Sequence, residues 1–303
     1  MQFPLFETKA LNDEARQLAG GSFVNLPAGI THFELSNCST HLQAEGPGMG
    51  DVVVLVHGFS VPYFIFDPTF EFLTTAGFRT LRYDLYGRGY SDRPNARYNI
   101  DLFVKQLTDL LDALRFSQPV NLIGLSMGGP IAATFTARYP ERVRSLTLID
   151  PAGVRPISLT PMVRAMKLPG IAEAIFGIFG SENLLKSAAK DFFDPEMVGH
   201  FIEKYRVQMQ YKGFKRAILS SIRNDMLGSY LKSYKRVGRL DMPVQLIWGR
   251  NDLTVPFEHS VDLLTAIPQA EFHVIENCGH IPHYEKPVEF NPILLEFLKA
   301  GEE

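Results

Sequence analysis

Residues 119–139 read Pro-Val-Asn-Leu-Ile-Gly-Leu-Ser-Met-Gly-Gly-Pro-Ile-Ala-Ala-Thr-Phe-Thr-Ala-Arg-Tyr. The apolar run Val120 to Leu125 meets Gly124-x-Ser126-x-Gly128 and passes directly into Ala-rich sequence. This pattern predicts a strand, a one-residue turn and a helix. So sharp a turn strains the backbone of its central residue and crowds the positions two before and two after it, where Gly124 and Gly128 remove the side chains. Ser126 is then left at the strand tip, beside the unpaired N–H groups of a helix start, where negative charge is stabilised. A Gly-x-Ser-x-Gly pentapeptide alone is a weak signal, because ordinary loops also contain it. Its surroundings give it weight.

To either side, strands and helices alternate. Val52 to Val56 is a continuous apolar run, the mark of a strand covered on both faces. Arg79 to Tyr83, Ser145 to Ile149, Val244 to Trp248 and Glu271 to Ile275 are further strand candidates. Asp67 to Ala76 and Leu102 to Leu114 have helical spacing. Residues 31–44 alternate and predict an antiparallel opening hairpin. The implied class is α/β, with a mostly parallel central sheet and helices on both faces.

The alternation fails between Arg155 and Gly238, a stretch rich in Phe, Met, Leu and Lys and punctuated by Pro and Gly. We read 155–238 as an inserted helical cap, with 1–154 and 239–303 forming the core. From Pro156 to Leu240 there are 14 Lys and Arg against 7 Asp and Glu, which reads as a solvated outer face.

At 303 residues and 46% hydrophobic composition, the chain can fill a sizeable core. A net charge of −3 with no basic run gives no support for a nucleic-acid partner. With no apolar stretch approaching 18 residues and no export-type N-terminus, the expectation is a cytoplasmic protein without stable membrane insertion. Cys38 and Cys278 are 240 positions apart and read as buried free thiols. The sequence does not fix the oligomeric state.

A serine hydroxyl needs a base within reach, and that base needs a carboxylate to hold it. Gly249-Arg250-Asn251-Asp252 follows one strand, and Cys278-Gly279-His280 follows another. Both therefore lie on loops at strand C-termini, the edge where open α/β sheets place their sites. The candidate catalytic residues are Ser126, Asp252 and His280. Asp150, at the end of the Ser145 to Ile149 strand, is the rival acid, and His283 the rival base. His57 reads as a structural histidine and Arg88 as part of a tight loop.

In these pieces the chain resembles the α/β-hydrolase superfamily, capped subgroup. The matching motifs are His57-Gly58-Phe59-Ser60, Asp84-Leu85-Tyr86-Gly87-Arg88-Gly89-Tyr90-Ser91, the Ser126 elbow, the Gly249 to Asp252 loop and Gly279-His280-Ile281-Pro282. The order Ser126, Asp252, His280 is the order of that family. The resemblance implies an oxyanion hole formed by the backbone N–H groups of Phe59 and Met127. It further implies a serine hydrolase similar to carboxylesterases and monoacylglycerol lipases, acting on a small-molecule ester of a primary or secondary alcohol and needing no cofactor or metal.

Haloalkane dehalogenases and epoxide hydrolases are disfavoured because they use Asp where this chain has Ser126. Prolyl aminopeptidase relatives usually carry Trp beside the nucleophile, where this chain has Met127. Carbon–carbon bond hydrolases of aromatic ring cleavage keep the serine but typically show a Gly-Pro-Gly-like loop after the first His-Gly, where this chain reads His-Gly-Phe-Ser-Val-Pro; they stand as the alternative. A hydrolase-fold ligand receptor with little turnover is the other. For the substrate wall, the cap offers Met162, Met166, Ile175, Phe176, Ile178 and Phe179, a cluster that also suits packing between cap and core.

Overall fold

The computed structural model describes residues 7–36, 51–156 and 171–300, with only the backbone at 171–175 and 177–179. Its sheet is built from β1 (Ser22–Leu26), β2 (Gly29–Leu35), β3 (Val52–Val56), β4 (Arg79–Tyr83), β5 (Val120–Leu125), β6 (Val143–Ile149), β7 (Val244–Gly249) and β8 (Glu271–Ile275). The spatial order is β1-β2-β4-β3-β5-β6-β7-β8. β2 pairs antiparallel with both β1 and β4, and every other pairing is parallel. Seven of the eight strands, all but β2, thus point their C-termini to one edge.

The opening hairpin lies earlier than the alternation of 31–44 implied. It is β1 and β2, joined through the turn at Pro27 and Ala28, with Leu26 opposite Gly29. Residues 37–44 lie outside the described residues. Turn chemistry decides the position: Pro27 cannot donate to a ladder, so the strand ends before it.

Helices cover both faces. They include α1 (Asp13–Ala19), α2 (Asp67–Thr75), α3 (Ile100–Ala113) and α4 (Gly128–Arg138). After the sheet's sixth strand come α5 (Ile171–Ala189), α6 (Val198–Gln208), α7 (Phe214–Arg223) and α8 (Leu231–Val237), and then α9 (His259–Ala266), α10 (Pro282–Glu285) and α11 (Pro287–Ala300). The apolar strands are buried on both sides, and their two-residue period divides the core in two. Val54, Val56, Leu122, Leu148 and Trp248 pack with α3 and α4 on one face. Val53, Leu55, Ile123, Ile149 and Ile247 pack with α2 and α11 on the other.

The second cluster continues into the helices between β6 and β7 through Phe201, Tyr205, Phe214 and Ile218. No strand lies between β6 and β7 among the described residues. α8, within the segment read as the cap, lies against α4 and α9 of the core. No helix among the described residues is long and apolar enough to cross a membrane.

Candidate active site

β5 ends at Leu125, and Ser126 follows with φ +51°, a left-handed conformation that only a forced turn gives a non-glycine residue. Its N–H donates to the Ile149 carbonyl at 2.9 Å, and its own carbonyl accepts from Gly129 and Ala152. Both flanking glycines are obligatory here. A Cβ on Gly124 would lie 2.5 Å from the Gly128 carbonyl oxygen, and one on Gly128 would lie 2.1 Å from the Val56 carbonyl oxygen. The helix start is therefore pressed against the end of β3, where Gly58 and Phe59 lie. Among the described residues no acceptor takes the backbone N–H of Phe59 or of Met127.

The loops after β7 and β8 meet beside this elbow. His280 Nδ1 donates to Asp252 Oδ2 at 2.6 Å, with both side chains buried. The other oxygen, Asp252 Oδ1, accepts from the N–H groups of Thr254 and Val255 at 2.7 and 2.9 Å, so the carboxylate is held on both sides. Burial works against charge on the His280 ring, yet the Asp252 carboxylate and its hydrogen bond outweigh it and raise the pKa above 6.5. His280 Nε2 is buried and makes no hydrogen bond within the described residues. Its ring and Ser126 line one cavity of about 130 Å³, with Phe59, Ser60 and Ile281.

The rival residues fall beside this arrangement. Asp150, also at positive φ, accepts from the Gly249 N–H at 2.9 Å and lies within 4.8 Å of the Asp252 and His280 polar atoms. Burial, and then the neighbouring Asp252 charge, raise its pKa well above 3.8, which favours its protonated form. His283 is buried between the rings of Phe66 and Phe290, and burial pushes its pKa down to about 3. His57 Nε2 accepts from the Leu85 N–H at 2.9 Å while Nδ1 donates to the Gly58 carbonyl, and burial lowers it to about 4. Arg88 is buried, and its guanidinium donates to the carbonyls of Phe59 and Tyr86 and to Ser221 Oγ. It joins the loop carrying Phe59 to α7.

Of the substrate-wall expectations, Met162 and Met166 lie outside the described residues, as do the side chains of Ile175, Ile178 and Phe179. Phe176 is buried in the second core cluster and does not line the cavity beside Ser126. α5 spans 19 residues, roughly 28 Å at 1.5 Å per residue, and among its described side chains those nearer its C-terminal end reach the elbow. Leu184, Ser187 and Ala188 from that end form the wall, followed by Asp191.

Two acids escaped the sequence reading. Asp191 takes the His280 backbone N–H on its carbonyl at 2.7 Å and the Thr254 hydroxyl on its carboxylate at 2.6 Å. Glu285 accepts from Gly279 N–H with one oxygen and from the N–H groups of Phe193 and Asp194 with the other. Together they stitch the end of the inserted helix to the loops carrying Asp252 and His280. For Glu285 no spacing or motif was a usable signal, and Asp191 offered none.

A family model described as alpha/beta hydrolase fold matches residues 51–287. The chain belongs to this family. It is a hydrolase by that membership and by its relatives. A 2-hydroxy-6-oxononadienedioate/2-hydroxy-6-oxononatrienedioate hydrolase of Klebsiella pneumoniae subsp. pneumoniae is 30% identical over 275 residues, 85% of this chain and 90% of the relative. A 2-hydroxy-6-oxo-6-phenylhexa-2,4-dienoate hydrolase of Burkholderia cepacia is 29% identical, over 88% of this chain and 93% of its own length. Among solved structures, a meta-cleavage product hydrolase of Pseudomonas fluorescens IP01 superposes with a TM-score of 0.76 at 24% identity, over 93% and 99% of the two chains, which speaks for the fold.

These names overturn the expectation of ester hydrolysis and of a carboxylesterase or monoacylglycerol lipase likeness, and agree with the carbon–carbon alternative. The loop after His57-Gly58 misled the sequence reading. A serine, a histidine and two amide donors serve attack on an ester or on a ketone equally, so the difference between the two reactions lies in the leaving group.

Proposed function

We propose that this hydrolase cleaves the carbon–carbon bond beside the 6-ketone of a 2-hydroxy-6-oxo-2,4-dienoic acid. The observation that carries this reading is the likeness to hydrolases named for such acids along nearly the whole of both chains. Carbon is a poor leaving group unless its electron pair can be delocalised. A proton moved from the 2-hydroxyl to C5 makes the dienol a 2,6-dioxo-3-enoate, and the C5–C6 pair can then flow into the enone.

Ser126 attacks C6 while Nε2 of His280 takes the hydroxyl proton, and Asp252 holds the imidazolium that forms. The Phe59 and Met127 N–H groups receive the oxyanion; one such donor is typically worth about 3 kcal/mol. Collapse breaks C5–C6, the departing dienolate takes the proton held by His280 and leaves as a 2-hydroxydienoate, and the acyl group stays on Ser126. Water activated by His280 then releases the second acid.

The test is incubation with 2-hydroxy-6-oxo-6-phenylhexa-2,4-dienoate, following loss of the conjugated dienolate absorbance and appearance of benzoate. Ser126→Ala should lower turnover on the order of 10⁴- to 10⁶-fold. A wild-type protein inert toward this compound and its 6-alkyl analogues defeats the reading.

A further inference from the structure

Asp191 lines the cavity beside Ser126, and the reaction above has no use for its carboxyl group. It stands just beyond the C-terminus of α5, on the wall shared by Ser126 and His280. Its position is built: Thr254 Oγ1 donates to one carboxylate oxygen at 2.6 Å, and Thr254 itself is tied through its N–H to Asp252. Around it the cavity is walled by Val61, Ile65, Leu184 and Ala188, and no Lys or Arg is among the described residues lining it. The space, about 130 Å³, is close to that of an apolar cavity that accepts benzene. A second carboxylate placed there meets a fixed negative charge in a site with little water, a like-charge contact that is strongly unfavourable.

We propose that Asp191 is a specificity-determining residue that reserves the cavity beside Ser126 for an uncharged substituent, so that this enzyme prefers monocarboxylate ring-cleavage products with a small aryl or alkyl ketone over dicarboxylates. The inference rests on the carbon–carbon reading and narrows it. It separates this chain from the nonadienedioate hydrolase it resembles, whose named substrate carries two carboxylates.

The protonation of Asp191 supplies an independent handle. Burial raises its pKa to about 6, while the His280 charge and the Thr254 hydrogen bond lower it and the Asp252 charge raises it. These are the groups that act on it, from the loops after β7 and β8. Acidification therefore neutralises the wall while the substrate carboxylates stay ionised.

The experiment measures kcat/KM of the wild type and of Asp191→Asn on 2-hydroxy-6-oxo-6-phenylhexa-2,4-dienoate and on 2-hydroxy-6-oxononadienedioate, from pH 5.5 to 8. Taking the ratio of the two substrates cancels the titration of His280, which both share. At pH 8 the wild type should prefer the phenyl ketone at least about tenfold. Its dioate-to-phenyl ratio should rise as pH falls through about 6. In Asp191→Asn, whose amide oxygen can still accept from Thr254, the ratio should be higher and flat with pH.

Equal use of both substrates by the wild type, or a ratio that neither the substitution nor acid moves, overturns the inference while leaving carbon–carbon cleavage intact. Turnover of neither substrate removes that reading and the inference with it.

Discussion

Gly128→Ala isolates the contact on which the elbow depends. The added methyl would sit 2.1 Å from the Val56 carbonyl oxygen and 2.9 Å from that of His57, both backbone atoms at the C-terminal end of β3 and just beyond it. Ordinary contact begins near 3.4 Å, so the start of α4 must retreat from β3 by roughly 1 Å. Overpacking of this kind costs about 1–3 kcal/mol, and with no flexible side chain to yield the upper end applies.

The same retreat carries the Met127 N–H away from the oxyanion position, and a misplacement near 1 Å costs about 10²-fold in rate. The assay pairs urea unfolding with kcat on the phenyl ketone acid. Gly199→Ala is the internal control: a methyl there meets nothing within 4 Å on α6, and should stabilise by about 0.5–1 kcal/mol. Gly128→Ala with wild-type stability and kcat within about twofold would refute the account of how this turn is made.

Two pH experiments examine the buried acids and the base. His280 must be neutral to accept a proton and its pKa lies above 6.5, so kcat/KM should climb with pH through a limb above that value. Asp252→Asn leaves burial of the ring opposed only by the smaller effect of the Asp191 charge, which moves the limb downward and lowers the rate by about 10⁴-fold; an unmoved limb disproves the assignment. The imidazolium pair also stabilises the fold, in full below pH 6.5 and less as pH rises through the raised value. Asp150 keeps its proton in the fold and releases it on unfolding above pH 3.8, so it makes the protein less stable as pH climbs. The stability advantage of Asp150→Asn over wild type should therefore widen between pH 4.5 and 8 in urea titrations, and a constant difference argues against a neutral Asp150.

Much of the architecture was legible because burial writes itself into composition. Val52–Val56 and Val120–Leu125 can only be strands covered on both faces, and both are fully within the sheet. Ser126, with its two glycines, announces a turn whose sterics admit nothing larger. Asp252 and His280 were readable from their places after strands, since parallel strands bring such loops to one edge. Ester versus carbon–carbon cleavage was not readable from these residues, because the same nucleophile, base and amide donors serve both.

The sequence by itself determined the strands, the elbow and the sheet edge where its polar loops gather, since local sterics and apolar runs act within a few residues. Only the tertiary structure decided that Asp252 binds His280 while Asp150 stands beside them, and that α5 ends with Asp191 inside the cavity. Those outcomes depend on contacts between segments 28 to 99 positions apart, which no periodicity records.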